Sequence, residues 1–271
     1  MVLTSDKGWP YTLNAPHGAL KDFFVNCEVD RVWQIVSSDL TEWFSNFDLS
    51  RNPSPVKRLL IGTLGIGKPM AAGSYLFYQP LHYDIEKPQL VVYSFGGSTT
   101  YVFGKTIKTV TIYVGSEASE AFLYYLWRRG TKGYIIHDVV EKEAPPASYF
   151  LPYDRRGMIV VSSPNVRNYS EWEAQVKAER TIVNCPDGMD VKAMCAWMKR
   201  DGTTDDQAAY WKMVKGRMDS VGPISRYIFD ANKLIAHSVA IENALGGINS
   251  RDGEEHFMPR GVRLWYSENP T

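Results

Sequence analysis

Leu59-Leu60-Ile61-Gly62-Thr63-Leu64-Gly65-Ile66-Gly67-Lys68-Pro69 passes from an apolar run through three closely spaced glycines to a lysine. From Gly62 to Lys68 the order is Gly-x-x-x-x-Gly-Lys, most of a phosphate-binding P-loop. Glycines let the backbone turn tightly and aim successive N–H groups at an anion. The helix expected next offers its positive N-terminus, and the lysine reaches the outer phosphates as a point charge. Gly62, Thr63, Leu64, Gly65, Ile66, Gly67 and Lys68 are therefore the candidate nucleotide cradle, and Lys68 is also a candidate catalytic group; the plain alternative is a glycine-rich turn with a solvated lysine. The Ser or Thr expected after the lysine is replaced by Pro69. That hydroxyl ordinarily ligates Mg²⁺ and the backbone N–H beside it contacts phosphate. Proline supplies neither, although its fixed φ suits the first turn of a helix.

Outward from the loop, Arg58 to Ile61 reads as a strand and Met70 to Tyr78 as a helix that Pro80 stops. Gln89 to Phe95 is a continuous β-prone run of the buried parallel type. Thr100 to Val114 alternates around Gly104-Lys105 and predicts an inserted β-hairpin with Tyr101, Phe103, Ile112 and Val114 as members. Ala118 to Arg129 predicts a helix. Gly133 to Asp138 and Met158 to Asn165 are further apolar runs. Tyr169 to Arg180 predicts a charged helix, and Thr181 to Asn184 a short strand. Strands alternating with helical stretches imply an α/β fold, a P-loop NTPase-like parallel sheet covered on both faces. After Pro186 the pattern turns helical: Asp190 to Arg200, Thr204 to Ser220 with Gln207 completing a capping box, then Ile224 to Leu245 beyond Gly222-Pro223. The division is an aromatic-rich N-terminal extension over 1–54, the P-loop domain over 55–185, a small helical appendage over 186–245 and a tail over 246–271. In the extension, Val29, Val32, Trp33, Val36, Leu40 and Trp43 recur at helical spacing and predict an amphipathic helix packed on the main domain.

Composition bounds the function. Apolar content of 44% is ample for a packed core, and a formal net charge of zero does not indicate direct nucleic-acid binding. Cys27, Cys185 and Cys195 are odd in number and far apart, as in reduced intracellular thiols rather than a disulfide framework or a metal-binding spacing. No apolar run reaches the length of a membrane span, and the N-terminus lacks a signal-peptide pattern.

Asp138 ends a buried run, where an acid would hold Mg²⁺ through water and act in catalysis; the plain alternative is a loop-starting aspartate. Val139 and Val140 follow it, so no adjacent acid serves as a general base. His137 alternates away from Asp138 and reads as a packed or solvent histidine. Ser162, Ser163 and Asn165 end the neighbouring run. There Ser163 is the candidate for sensing a terminal phosphate, against the alternative of a turn around Pro164. Arg226 opens a helix of the appendage, from which it can reach a bound nucleotide or face solvent. Trp197 and Trp211 sit at helical positions and read as helix-packing residues. No His-Glu-x-x-His, Cys-x-x-Cys or Gly-x-Ser-x-Gly occurs.

Several longer segments resemble the retrotransposon hot spot protein family. They are Leu3 to Tyr11, the loop itself, Gly96-Gly97-Ser98-Thr99-Thr100-Tyr101-Val102-Phe103, Met158 to Asn165 and Asp190 to Thr204. The resemblance covers nearly the whole chain. It implies a multigene family whose members carry an ATP- or GTP-binding P-loop with Mg²⁺, a nuclear or perinuclear location and unidentified protein partners. It also implies that this chain is the central nucleotide-binding part of a longer member, without the usual flanks. Two positions depart from the family pattern. Pro69 stands where the family reads Gly-Lys-Ser, and Ser225 precedes Arg226 where the family reads Gly-Pro-x-Pro-Arg. Three readings stay open: a nucleotide-binding module of regulatory or assembly role with weak or no hydrolysis, an active ATPase, or a copy that folds and binds nothing.

Overall fold

The computed structural model describes residues 1–6, 8–9, 21–45, 55–82, 89–96, 99–139, 146 and 156–247. At the N-terminus β1 (Val2–Thr4) pairs antiparallel with β2 (Asp22–Phe24) and leads into α1 (Cys27–Ser45). All six apolar residues expected on the inner face of α1 are buried. β3 (Lys57–Ile61) enters the glycine loop and α2 (Lys68–Ala72) leaves it. The single helix expected over Met70 to Tyr78 is in fact two, because the chain breaks at Gly73 before α3 (Tyr75–His82). Pro80 does not stop α3 but lies inside it; its ring is buried, which offsets the one amide bond it forfeits.

Next come β4 (Leu90–Phe95), the hairpin of β5 (Thr99–Gly104) and β6 (Thr109–Val114), then α4 (Ser116–Arg128), β7 (Gly133–Asp138) and β8 (Arg156–Ser162). A 3₁₀ turn (Val166–Asn168) precedes α5 (Ser170–Val176) and β9 (Glu179–Ile182). The helix expected over 169–180 is shorter because Lys177 takes a left-handed conformation (φ 52°), ending α5 and starting the strand early. The last helices are α6 (Gly188–Met198), α7 (Thr204–Val221), α8 (Ser225–Ile228) and α9 (Ala231–Gly246). The capping box lies one residue upstream of the expected one: Thr203 and Asp206 exchange side-chain and backbone bonds (3.1 and 3.0 Å). The expected third helix is split at Asp230, whose carboxylate accepts from the N–H groups of Asn232 and Lys233 and so begins α9.

Seven strands form one sheet in the order β6-β5-β4-β7-β8-β3-β9. Strands β4, β7, β8, β3 and β9 are mutually parallel, and β5 alone runs against them, pairing antiparallel with both β4 and β6. One face packs against α1, α2 and α3, with Val91, Tyr93, Ile136 and Ile159 meeting Val36, Leu40, Tyr75 and Phe77 in a single core. The opposite face carries Leu123 of α4 and Trp172 of α5. Helices α6, α7 and α8 hold a separate small core of Val191, Cys195, Val214 and Ile228. Asp39 of α1 is paired bidentately with Arg58 of β3, both bonds at 2.6 Å, and Tyr75 of α3 donates to Asp30 at 2.9 Å. The N-terminal helix is thus integral to the sheet's covering layer. Among the described residues no helix is long and apolar enough to cross a membrane.

Candidate functional site

Parallel strands bring their C-terminal ends to one edge of a sheet, where the loops that follow can converge. In register, Ile61 lies beside both Ser162 and Ile182, and Asp138 beside Val161. The loop after β3, the acid ending β7 and the serine ending β8 therefore share this edge, and β8 lies between the loop's strand and the acid's strand.

Each glycine of the loop has its own reason to be there. A Cβ on Gly62 would collide with the carbonyl oxygen of Val183, beyond β9, far inside the 3.0 Å limit of real contacts. Gly65 (φ +88°) is covered by Arg226 and Ile224, with 2.8 Å from a Cβ there to Arg226 Cβ. Gly67 (φ +91°) is the N-cap of α2 and has nothing within 4 Å of a Cβ position. Leu64 is exposed and Ile66 buried. The loop is braced by the appendage, since the Arg226 N–H donates to the Gly65 carbonyl at 3.0 Å.

Lys68, the first residue of α2, is 7% exposed and donates through Nζ to the carbonyls of Gly62 (2.5 Å) and Thr63 (2.9 Å). Burial lowers its pKa to about 8; the charge of Asp138 opposes this and that of Arg226 adds to it. Burial raises the Asp138 carboxyl to about 7, against the pull of Lys68. The structure thus brings Lys68, Asp138 and Arg226 into one electrostatic group. Pro69 stands in the first turn of α2, where a missing N–H breaks no helical bond, and its carbonyl accepts from the Gly73 N–H.

Ser163, the candidate phosphate sensor, is otherwise engaged: its Oγ accepts from Asn168 Nδ2 at 2.8 Å. Asn165 caps the 3₁₀ turn. Ser162 instead has a buried hydroxyl with no partner among the described residues. Strand alternation distinguishes the two serines, but only once the end of β8 is fixed. His137 is buried and its pKa is lowered by burial to about 4. A thiol and two carboxylates meet elsewhere: Cys27 donates to Asp190 at 2.8 Å, near Asp187. Both acids are engaged with helix N-termini, Asp187 with the Asp190 N–H and Asp190 with the Cys27 N–H. The loop offers a buried lysine beside three glycines but lacks the N–H and the hydroxyl at position 69, and among the described residues the one carboxylate near Lys68 is that of Asp138.

The chain is similar to a solved structure described as the crystal structure of the FIGL-1 AAA domain, with 10% identity, a TM-score of 0.41, and coverage of 93% of this chain and 80% of that one. No curated protein matches significantly. Residues 59–268 match the family model described as retrotransposon hot spot protein, P-loop domain, and residues 1–53 match that described as retrotransposon hot spot proteins N-terminal, so N-terminal family sequence expected to be missing is present. With its glycine loop seated at the edge of a mostly parallel sheet and a P-loop family model matching most of its length, the chain belongs to the retrotransposon hot spot protein family.

Proposed function

We propose that the chain binds a nucleotide, ATP or GTP, at the loop Gly62–Lys68, and that its hydrolysis is weak or absent. The observation that carries this is the position of Lys68: a buried ammonium held on the loop's own carbonyls, with Asp138 bearing on it from the end of β7. A buried charge is costly unless it is paired, and nucleotide phosphates supply strong countercharge. Lys68 and the loop N–H groups would hold the phosphates, and Arg226 would add a second cation. The Ser162 hydroxyl would donate to the terminal phosphate. Asp138 would approach Mg²⁺ through water, and the ion, when bound, would neutralise phosphate charge. Pro69 weakens that arrangement because it offers neither hydroxyl nor N–H. A regulatory or assembly role in or around the nucleus, with unidentified protein partners, extends this reading through the family resemblance.

Titration with labelled ATP and labelled GTP, with and without Mg²⁺, tests the proposal. Lys68→Ala should weaken binding by roughly one to two decades, the worth of a hydrogen bond to a charged group. Equal affinity in the parent and Lys68→Ala would overturn the reading. Pro69→Ser should raise Mg²⁺-dependent affinity or phosphate release; no gain would mean that the missing hydroxyl is not what limits metal use.

A further inference from the structure

Two side chains of α1 grip the backbone on either side of Val183. Arg31 Nη2 donates to the Ile182 carbonyl at 2.6 Å. Glu28 Oε1 accepts from the Asn184 backbone N–H at 2.8 Å and from its side-chain amide at 3.2 Å. The two grips are locked together, since Arg31 also donates to Glu28 through Nε (2.9 Å) and Nη2 (2.5 Å). Glu28 is 8% exposed. Burial alone would raise its carboxyl, but the bonds from Arg31 and Asn184 outweigh burial and hold it below the usual carboxylate range.

Val183 is the residue on which the loop rests. Its N–H donates to Ile61 at 2.7 Å, and its carbonyl backs so closely on Gly62 that only glycine fits there. Gly62 in turn presents its own carbonyl to Lys68. A continuous set of contacts therefore runs from an N-terminal helix, through one short segment, to the ammonium of Lys68.

We propose that Glu28 and Arg31 are positioning residues for the phosphate loop, so that nucleotide affinity depends on a clamp supplied by the N-terminal region. The proposal rests on the reading of the loop as a nucleotide site. Releasing the clamp lets Val183 withdraw from Gly62 and displaces the carbonyl on which Lys68 is seated. The coupling is reciprocal: bound nucleotide tightens the clamp as much as the clamp favours nucleotide.

The test uses the full chain and labelled ATP. Glu28→Ala and Arg31→Ala should each weaken binding by about tenfold, the scale of a lost charge-assisted hydrogen bond. Glu28→Gln, which keeps an oxygen for Asn184, should recover most of the loss. ATP should slow hydrogen exchange of the Asn184 amide in the parent and not in Arg31→Ala. The Arg31 side chain is 44% exposed, so that variant remains informative should Glu28→Ala not fold. A lowered melting midpoint with unchanged ATP affinity in both alanine variants, while Lys68→Ala loses binding, would reduce the clamp to a structural contact and overturn the proposal. Unchanged affinity in Lys68→Ala would instead remove the nucleotide site itself.

Discussion

Replacing the loop glycines one at a time by alanine should separate two physical costs. At Gly67 the cost is conformational only: φ is +91°, and a Cβ meets nothing within 4 Å. A left-handed non-glycine residue costs about 1–2 kcal/mol, which for a chain of this size lowers the melting midpoint by roughly 2–8 °C. At Gly62 φ is not positive and the cost is steric. The methyl would press on the Val183 carbonyl, which is backbone and cannot rotate aside. Val183 is also held by its own N–H bond to Ile61 and by the two grips on its neighbours. Overpacking of this kind costs about 1–3 kcal/mol or more, and the lack of a flexible partner puts Gly62→Ala at about 3 kcal/mol or above, roughly 6–12 °C. Thermal melting followed by circular dichroism compares the two, with Gly67→Asn as a control because asparagine tolerates the left-handed region. The order should be Gly62→Ala worst, then Gly67→Ala, then Gly67→Asn. Gly67→Ala falling below Gly62→Ala would refute the steric argument.

Two further outcomes follow from the site and the appendage. Because the folded Asp138 carboxyl titrates near 7 rather than its ordinary 3.8, the native state holds this proton more tightly than the unfolded chain. Its contribution to stability is complete below about pH 4 and lost as pH rises to about 7, so Asp138→Asn should flatten the urea midpoint between pH 5 and 7.5. A parent and variant with parallel profiles would contradict the assignment. Thr203→Ala removes the N-cap of α7 and should cost about 1 kcal/mol by denaturant unfolding, whereas Thr204→Ala should cost less. Equal effects would place the cap elsewhere.

The sheet's strands and the loop were legible because they rest on local signals: apolar runs, glycine spacing and a lysine. The inner face of α1 was legible for the same reason, through steps of three and four. The hairpin was found, yet Ile112 and Val114 are exposed, since alternation marks a strand without saying whether its apolar face is covered. Threonines at 203 and 204, followed by Asp206 and Gln207, offered two overlapping capping boxes, and only the helix start decides between them. Ser162 and Ser163 posed the same difficulty, because one residue of register exchanges their faces. The clamp on Val183 was not legible at all. Glu28 and Asn184 lie 156 positions apart, and no local pattern ties an acid on one helix to an amide beyond a distant strand.

Because α1 shares its core with α2 and α3, the two matched segments of this chain are not separable goods. Cutting between residues 53 and 59 would leave Val32, Trp33, Leu40 and Trp43 facing water on one fragment and uncover Ala72, Tyr75 and Leu76 on the other. Either piece made alone would carry a broad apolar surface of the kind that drives aggregation, so the two stretches have to be produced as one chain.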